Sequence, residues 1–240
     1  MADGEFFTFA TQTNAFPGGV TANAQLWLDA SDVDGDGVEE LFGEDGITLD
    51  GGNYRVDTWV DKATINDSGN DVTNGSTGQQ PYLVDDVFNG RPALDFDIND
   101  RLTHTLGTNW SGDYTLFIAL QSDSPSPTDY ESFFTNATSP SQNGSFQINY
   151  RTGSNKFQWT GKIGGNNATS YDFEDFEDGS LKLFTVRHDP TTNVDLNLYS
   201  EGEIVSTQTV TQQATFRRYG INTNRSDNRY HNSKIAEVLV

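Results

Sequence analysis

The 240-residue chain contains no cysteine. Disulfides, thiolate zinc sites and cysteine nucleophiles are excluded together. Positive charge is scarce. Fourteen Lys and Arg stand against 35 Asp and Glu, a formal net charge of −21. Nucleic acids and anionic lipid surfaces are bound through clustered cations, so neither nucleic acid nor direct membrane insertion is expected. No run approaches the ~20 apolar residues of a membrane helix. The start, Met1-Ala2-Asp3-Gly4-Glu5, has no basic n-region and no apolar h-region, so it does not read as a signal peptide. Helical periodicity is missing as well. No long segment repeats apolar residues about every 3.6 positions between capping residues.

What is present is alternation. Hydrophobic residues make up 34% and aromatics 12%, enough to separate this acidic chain from a disordered one. Runs of period two are divided by Gly, Asn, Asp and Ser clusters. Strands are expected over 25–29, 54–60, 93–96, 114–120, 145–151, 156–160, 182–188, 194–199, 203–210, 216–222 and 234–240. Many short strands and no linker point to one all-β domain over 1–240, a two-sheet antiparallel sandwich or barrel. Tyr114-Thr-Leu-Phe-Ile-Ala-Leu120 is apolar on nearly both sides and reads as a central strand. The apolar ending Ile235-Ala-Glu-Val-Leu-Val240 reads as a domain cut from a longer parent chain, with neighbouring domains as expected partners.

Three strands carry a polar side. Gln147, Asn149 and Arg151 alternate with Phe146, Ile148 and Tyr150. Asp195, Asn197 and Tyr199 alternate with Val194, Leu196 and Leu198. Gln158 and Thr160 alternate with Phe157 and Trp159. An antiparallel sheet with one packed and one wet face has this pattern. An amide supplies both the donor and the acceptor that a sugar hydroxyl requires, so a sugar-binding surface and an ordinary solvated face both fit.

The acidic run Asp29-Ala-Ser-Asp32-Val-Asp34-Gly-Asp36-Gly37-Val38-Glu-Glu40 places Asp at alternate positions before a Gly. Calcium takes six to eight oxygens, and Asp32, Asp34, Asp36, the Val38 carbonyl and Glu40 form a candidate ligand set. Gly43 stands where an EF-hand loop has its bidentate Glu, and no flanking helices are visible. The alternative is an acidic solvated loop. Asp123, Asp129 and Glu131, and the run Asp172–Asp178, are further acidic clusters for a second ion or for solvent. Trp27 and Trp59 read as core. Trp110, between Asn109 and Ser111-Gly112, reads as a loop aromatic able to stack on a sugar. Trp159 and Tyr171 are alternates for the same role.

Four segments in order resemble the concanavalin A-like, laminin G-like jelly-roll modules of large bacterial surface and secreted proteins. They are Gln25-Leu-Trp-Leu-Asp-Ala-Ser-Asp32; Thr58-Trp-Val-Asp-Lys62 with a displaced Asp67-Ser-Gly-Asn70; Gln80-Pro81 with Asn89-Gly-Arg-Pro-Ala-Leu-Asp-Phe-Asp97 and Asp100-Arg-Leu102; and Lys234-Ile-Ala-Glu-Val-Leu-Val240. The resemblance implies a two-sheet jelly roll whose first and last strands are neighbours. It also implies an extracellular or cell-surface setting.

That family includes lectins, adhesion modules, spacers and glycan-cleaving enzymes, so fold leaves function open. A jelly-roll glucanase carries E-x-D-x-x-E on one strand, with paired carboxylates about 5 Å apart. Glu174-Asp-Phe-Glu177 has the wrong spacing. His104, His188 and His231 sit in no lyase-type strand motif. No G-x-S-x-G elbow, H-E-x-x-H or P-loop occurs. The sequence reads as a calcium-dependent carbohydrate-binding or adhesion module with no catalytic residues. Trp110, Gln147, Asn149, Arg151, Trp159, Tyr171 and Asn197 are the candidate glycan contacts. A spacer of the same fold is the alternative, and a glycoside hydrolase or polysaccharide lyase the third reading.

Overall fold

The structure is a computed structural model. It describes residues 24–36, 47–50, 53–63, 69–88, 90–123, 131–139, 141–151, 156–162, 168–175, 181–189, 195–200, 203–209, 214–224, 226–227 and 230–240. Eighteen strands lie among them. In chain order they are β1 (Trp27–Asp29), β2 (Ile47–Asp50), β3 (Asn53–Val56), β4 (Thr58–Trp59), β5 (Val72–Thr73), β6 (Tyr82–Phe88), β7 (Arg91–Phe96), β8 (Leu102–Gly112) and β9 (Tyr114–Ser122). Then follow β10 (Glu131–Thr135), β11 (Phe146–Arg151), β12 (Lys156–Lys162), β13 (Ala168–Asp175), β14 (Lys182–Asp189), β15 (Asp195–Ser200), β16 (Glu203–Thr209), β17 (Ala214–Ile221) and β18 (Ser233–Leu239). Helix among the described residues is one 3-10 turn, Thr77–Gln79.

The strands form two antiparallel sheets, the expected jelly-roll sandwich. One runs β16-β15-β14-β9-β18-β7-β6-β3-β2, with β1 also on β18. The other runs β13-β12-β11-β10-β17-β8-β5-β4. β9 is central, between β14 and β18. Its residues alternate strictly, with Tyr114, Leu116, Ile118 and Leu120 inward and Thr115, Phe117, Ala119 and Gln121 half-buried outward. The first and last strands pair as expected, Trp27 opposite Leu239 and Asp29 opposite Glu237.

The core is one cluster between the sheets, rich in Phe. Phe157 of β12 stacks on Phe184 of β14, ring centroids 4.0 Å apart, and Tyr114 of β9 stacks on Phe146 of β11 at 5.2 Å. Each pair joins one sheet to the other. Such a pair adds about 0.5–1.5 kcal/mol to the burial of its rings.

Three of the four sequence segments meet at one place. Trp27 Nε1 donates to Glu237 Oε1 at 3.0 Å, and Lys62 Nζ stands 4.4 Å over the Trp27 ring. The Trp27 backbone N–H donates to Asp61 Oδ1, and Trp59 Nε1 donates to the Asp29 carbonyl. The polar residues of these motifs therefore close the edge of the core at the β1–β18 pair. Burial raises the Asp61 carboxyl pKa, against hydrogen bonds from the Trp27 and Ala63 backbone that lower it.

Candidate functional site

Asp32, Asp34 and Asp36 each place one carboxylate oxygen within 4.8 Å of the others. Two oxygens on one calcium, at about 2.3–2.6 Å each, are compatible with that separation. Three members of the expected ligand set therefore fit an ion by distance. Gly35, at φ +75°, makes the turn, and a Cβ there would come within 2.7 Å of Val60 Cγ1. Gly37, expected to permit the sharp turn, lies with Val38 and Glu40 outside the described residues. A cation already stands at the inner end of the loop. Lys62 Nζ lies 2.7 Å from Asp32 Oδ2 and 3.1 Å from Asp29 Oδ2. Burial alone would lower the Lys62 pKa; the Asp32 and Asp29 carboxylates outweigh it and raise it.

Trp110 lies in β8, not in a loop. It sits opposite Phe216 of β17, and the two rings stack at 3.9 Å and 5°. Between Thr105 and Trp110 four residues of β8 stand against Arg217 alone, a bulge that accounts for the loop-like Gly107-Thr-Asn109. Trp110 Nε1 donates to the Tyr219 hydroxyl at 3.1 Å. Burial pushes the Tyr219 pKa up, so that hydroxyl stays neutral. The indole lines a half-open cavity of about 730 Å³ at the end of the sandwich, with Ser111, Asp113, Tyr114, Arg187 and His188 on its walls. A cavity of this size matches small-ligand sites in general.

The remaining candidates do not join Trp110. Gln147 and Asn149 share the face of β11 that points away from the core, as their alternation requires. That face is enclosed rather than wet: Gln147 is 5% exposed and Asn149 0%. Gln158 and Thr160 on β12 and Ser132 and Thr135 on β10 are buried beside them. Alternation gives the side a residue faces, not what covers that side. Trp159 belongs to the core and stacks on Phe146 at 5.8 Å. Its place against the core corrects its reading as a sugar platform. Asn197 is on β15, in the other sheet, where its Oδ1 accepts from Thr207 Oγ1. The Arg151 and Tyr171 side chains lie outside the described residues.

The other acidic clusters have partners of their own. Asp123 pairs with Lys234, Glu131 with His231, and Asp172 with Gln158 and Lys156. Asp129 and 176–178 lie outside the described residues. The Glu131 contact belongs to a chain of bonds absent from the sequence reading. Ser122 Oγ is 2.7 Å from His231 Nε2, and His231 Nδ1 is 2.5 Å from Glu131 Oε2. The order is that of a nucleophilic triad. The imidazole is fully buried, with Phe133 and Tyr150 packed on it at 4.5 and 6.0 Å. Ser122 belongs to one sheet and Glu131 to the other, so the trio bridges the sandwich. The three residues are 122, 131 and 231 in sequence, and only the fold brings them together.

No protein-family model and no curated protein sequence matches the chain. Among solved structures it is similar to the receptor-binding domain of botulinum neurotoxin D, with 12% identity and a TM-score of 0.53 over 90% of this chain and 48% of that one. The type G receptor-binding domain gives 12% identity and a TM-score of 0.52 over 91% and 47%. The chain thus spans about half the length of these domains. A Ruminococcus gnavus IT-sialidase CBM40 bound to alpha2,3 sialyllactose gives 11% identity and a TM-score of 0.42, over 54% of this chain and 75% of that one. At such identities the likeness to the neurotoxin domains is one of fold.

Proposed function

We propose that the chain is a carbohydrate-binding module of a secreted or cell-surface protein, with the glycan held in the Trp110 cavity. The carrying observation is the state of Trp110. One ring face is fixed on Phe216, the Nε1–H is fixed on Tyr219, and the indole still lines an open cavity. A rigid aromatic gives stacking area at small entropic cost. Ser111, Asp113 and Arg187 supply hydroxyl, acceptor and donor groups at the cavity walls. A single shallow sugar site at roughly millimolar Kd is worth only about −4 kcal/mol, so adhesion would draw on several copies.

Calcium is proposed to act on the loop rather than on the sugar. Asp32, Asp34 and Asp36 would hold the ion, with the Val38 carbonyl and Glu40 completing the set. A ligand of the folded state stabilises it by about 2.7 kcal/mol at a hundredfold excess over Kd. Melting in millimolar calcium and in EDTA should therefore differ, and Asp34→Ala with Asp36→Ala should remove the difference. Identical melting curves would refute the ion site.

The binding test is a glycan array in calcium and in EDTA, repeated with Trp110→Ala and Arg187→Ala. The expected result is a set of hits weakened at least about tenfold by each substitution. A blank array in calcium would favour the spacer reading.

A further inference from the structure

The enclosed polar face holds three buried polar atoms in neighbouring strands with no hydrogen-bond partner: Ser132 Oγ, Asn149 Nδ2 and Gln158 Oε1. They form one row. Ser132 is directly opposite Asn149, and Asn149 directly opposite Gln158. Buried polar atoms are nearly always paired. Leaving one unpaired costs about 1–3 kcal/mol, so three in a row call for a ligand.

Neighbouring side chains fix what each amide offers. Asp172 Oδ1 accepts from Gln158 Nε2, and a carboxylate can only take the amine end, so Gln158 presents its oxygen. Gln147 Nε2 donates to Asn149 Oδ1 at 3.3 Å, so Asn149 presents its two N–H groups. Across three strands, spaced by about 4.8 Å each, the row reads acceptor, donor, and a hydroxyl able to be either. A pair of adjacent sugar hydroxyls is the complement, because each hydroxyl both donates and accepts. Thr135, Gln147, Thr160 and Ser170 occupy the next rungs on the same face and extend the polar lining.

We propose that the Ser132–Asn149–Gln158 row is a second sugar subsite that engages a vicinal hydroxyl pair, separate from the Trp110 cavity. It shares only its ligand class with the function proposed above. A peptide strand fits less well, because its alternate side chains need apolar pockets and this lining is amide and hydroxyl. Phosphate-bearing ligands are disfavoured by the charge of −21.

The test uses the whole chain and ligand-observed NMR titration with methyl glucoside, galactoside and mannoside and their monodeoxy analogues. The proteins are wild type, Asn149→Leu, Gln158→Met and Trp110→Ala, each checked by thermal melting. For at least one sugar, removing a hydroxyl of one adjacent pair should weaken binding about tenfold. Asn149→Leu and Gln158→Met should abolish that discrimination, and Trp110→Ala should retain it. Gln158→Met serves if Asn149→Leu fails to fold. Equal binding of deoxy and parent sugars would overturn the subsite, as would discrimination that survives both row substitutions. Glycans lost only in Trp110→Ala would overturn it while leaving the module reading intact. Loss confined to the row variants would support the subsite and overturn the Trp110 cavity. No sugar binding at all would leave ordered water only in the row and overturn both.

Discussion

Exposed apolar residues on the larger sheet contrast with a buried polar patch on the outward side of β10, β11 and β12 in the smaller one. On the ten-stranded sheet Leu183 is 41% exposed, and Ile204 on the edge strand is 58% exposed. On the eight-stranded sheet the outward residues of β10, β11 and β12 are Ser, Thr, Gln and Asn and are buried, while β8 is largely exposed. The hydrophobic effect alone would favour the reverse, since burying apolar area is favourable and burying unpaired polar groups is costly. Isolated apolar residues on a surface are normal. The buried polar patch is the unusual one, because three of its atoms, Ser132 Oγ, Asn149 Nδ2 and Gln158 Oε1, have no hydrogen-bond partner.

The two faces are joined through the layer between them, where the largest effect is expected. His231→Ala removes the imidazole that links Ser122 of one sheet to Glu131 of the other. Removing one partner of a buried hydrogen bond typically costs about 1–3 kcal/mol, read as a lower urea midpoint with an unchanged slope. A loss below about 1 kcal/mol would show that the sheets are held by the Phe stacks alone.

The pH response comes next. Burial first, and then the neighbouring Asp97 charge, push the Asp100 pKa up to about 6 from 3.8, against a lowering hydrogen bond from the Asp97 backbone. A carboxyl raised in the folded state contributes stability that is full below its unfolded pKa and lost as pH rises through the folded value. Stability should therefore fall between pH 5 and pH 7. Burial raises Asp95 and Glu237 in the same direction. Asp100→Asn should flatten this part of the profile and raise the melting temperature at pH 7.5. A profile that rises over this range would contradict the assignment.

Ser132→Ala separates the faces directly. The substitution removes a buried hydroxyl with no partner and should raise stability by about 1 kcal/mol in ligand-free protein. The matching change on the exposed face, Leu183→Thr, should stay within about 0.5 kcal/mol. Equal effects would erase the distinction between the two faces.

Much of this sheet order was legible in local sequence. The run 114–120, apolar on nearly both sides, located the central strand, and the segments at Trp27 and at Lys234 foretold the β1–β18 pair. β8 was missed because its Gly107-Thr-Asn109 signals a turn, and in the structure it is a bulge. β10 was missed because Ser132-Phe-Phe134 carries a register shift, so both phenylalanines are buried and alternation is lost. Of the site, Trp110 and Asn149 were identified as residues and not as places. Which indole keeps an open face, and which amide face is covered, depends on segments far away in the chain. The Ser122–His231–Glu131 trio, spanning more than a hundred positions, has no local signature.

The position of β18 also governs how this chain must be made. It pairs with β9 on one side and with β7 and β1 on the other, so it fills the middle of the larger sheet. In the larger sheet β7 and β9 cannot be bridged until residues 233–239 leave the ribosome. During synthesis β7 and β9 each present an unsatisfied edge towards the gap that β18 will close, and such edges invite aggregation. A fold closed by its last strand is slow, because its contacts are distant in sequence. The dense negative charge, which repels one nascent chain from the next, is suited to protecting that interval.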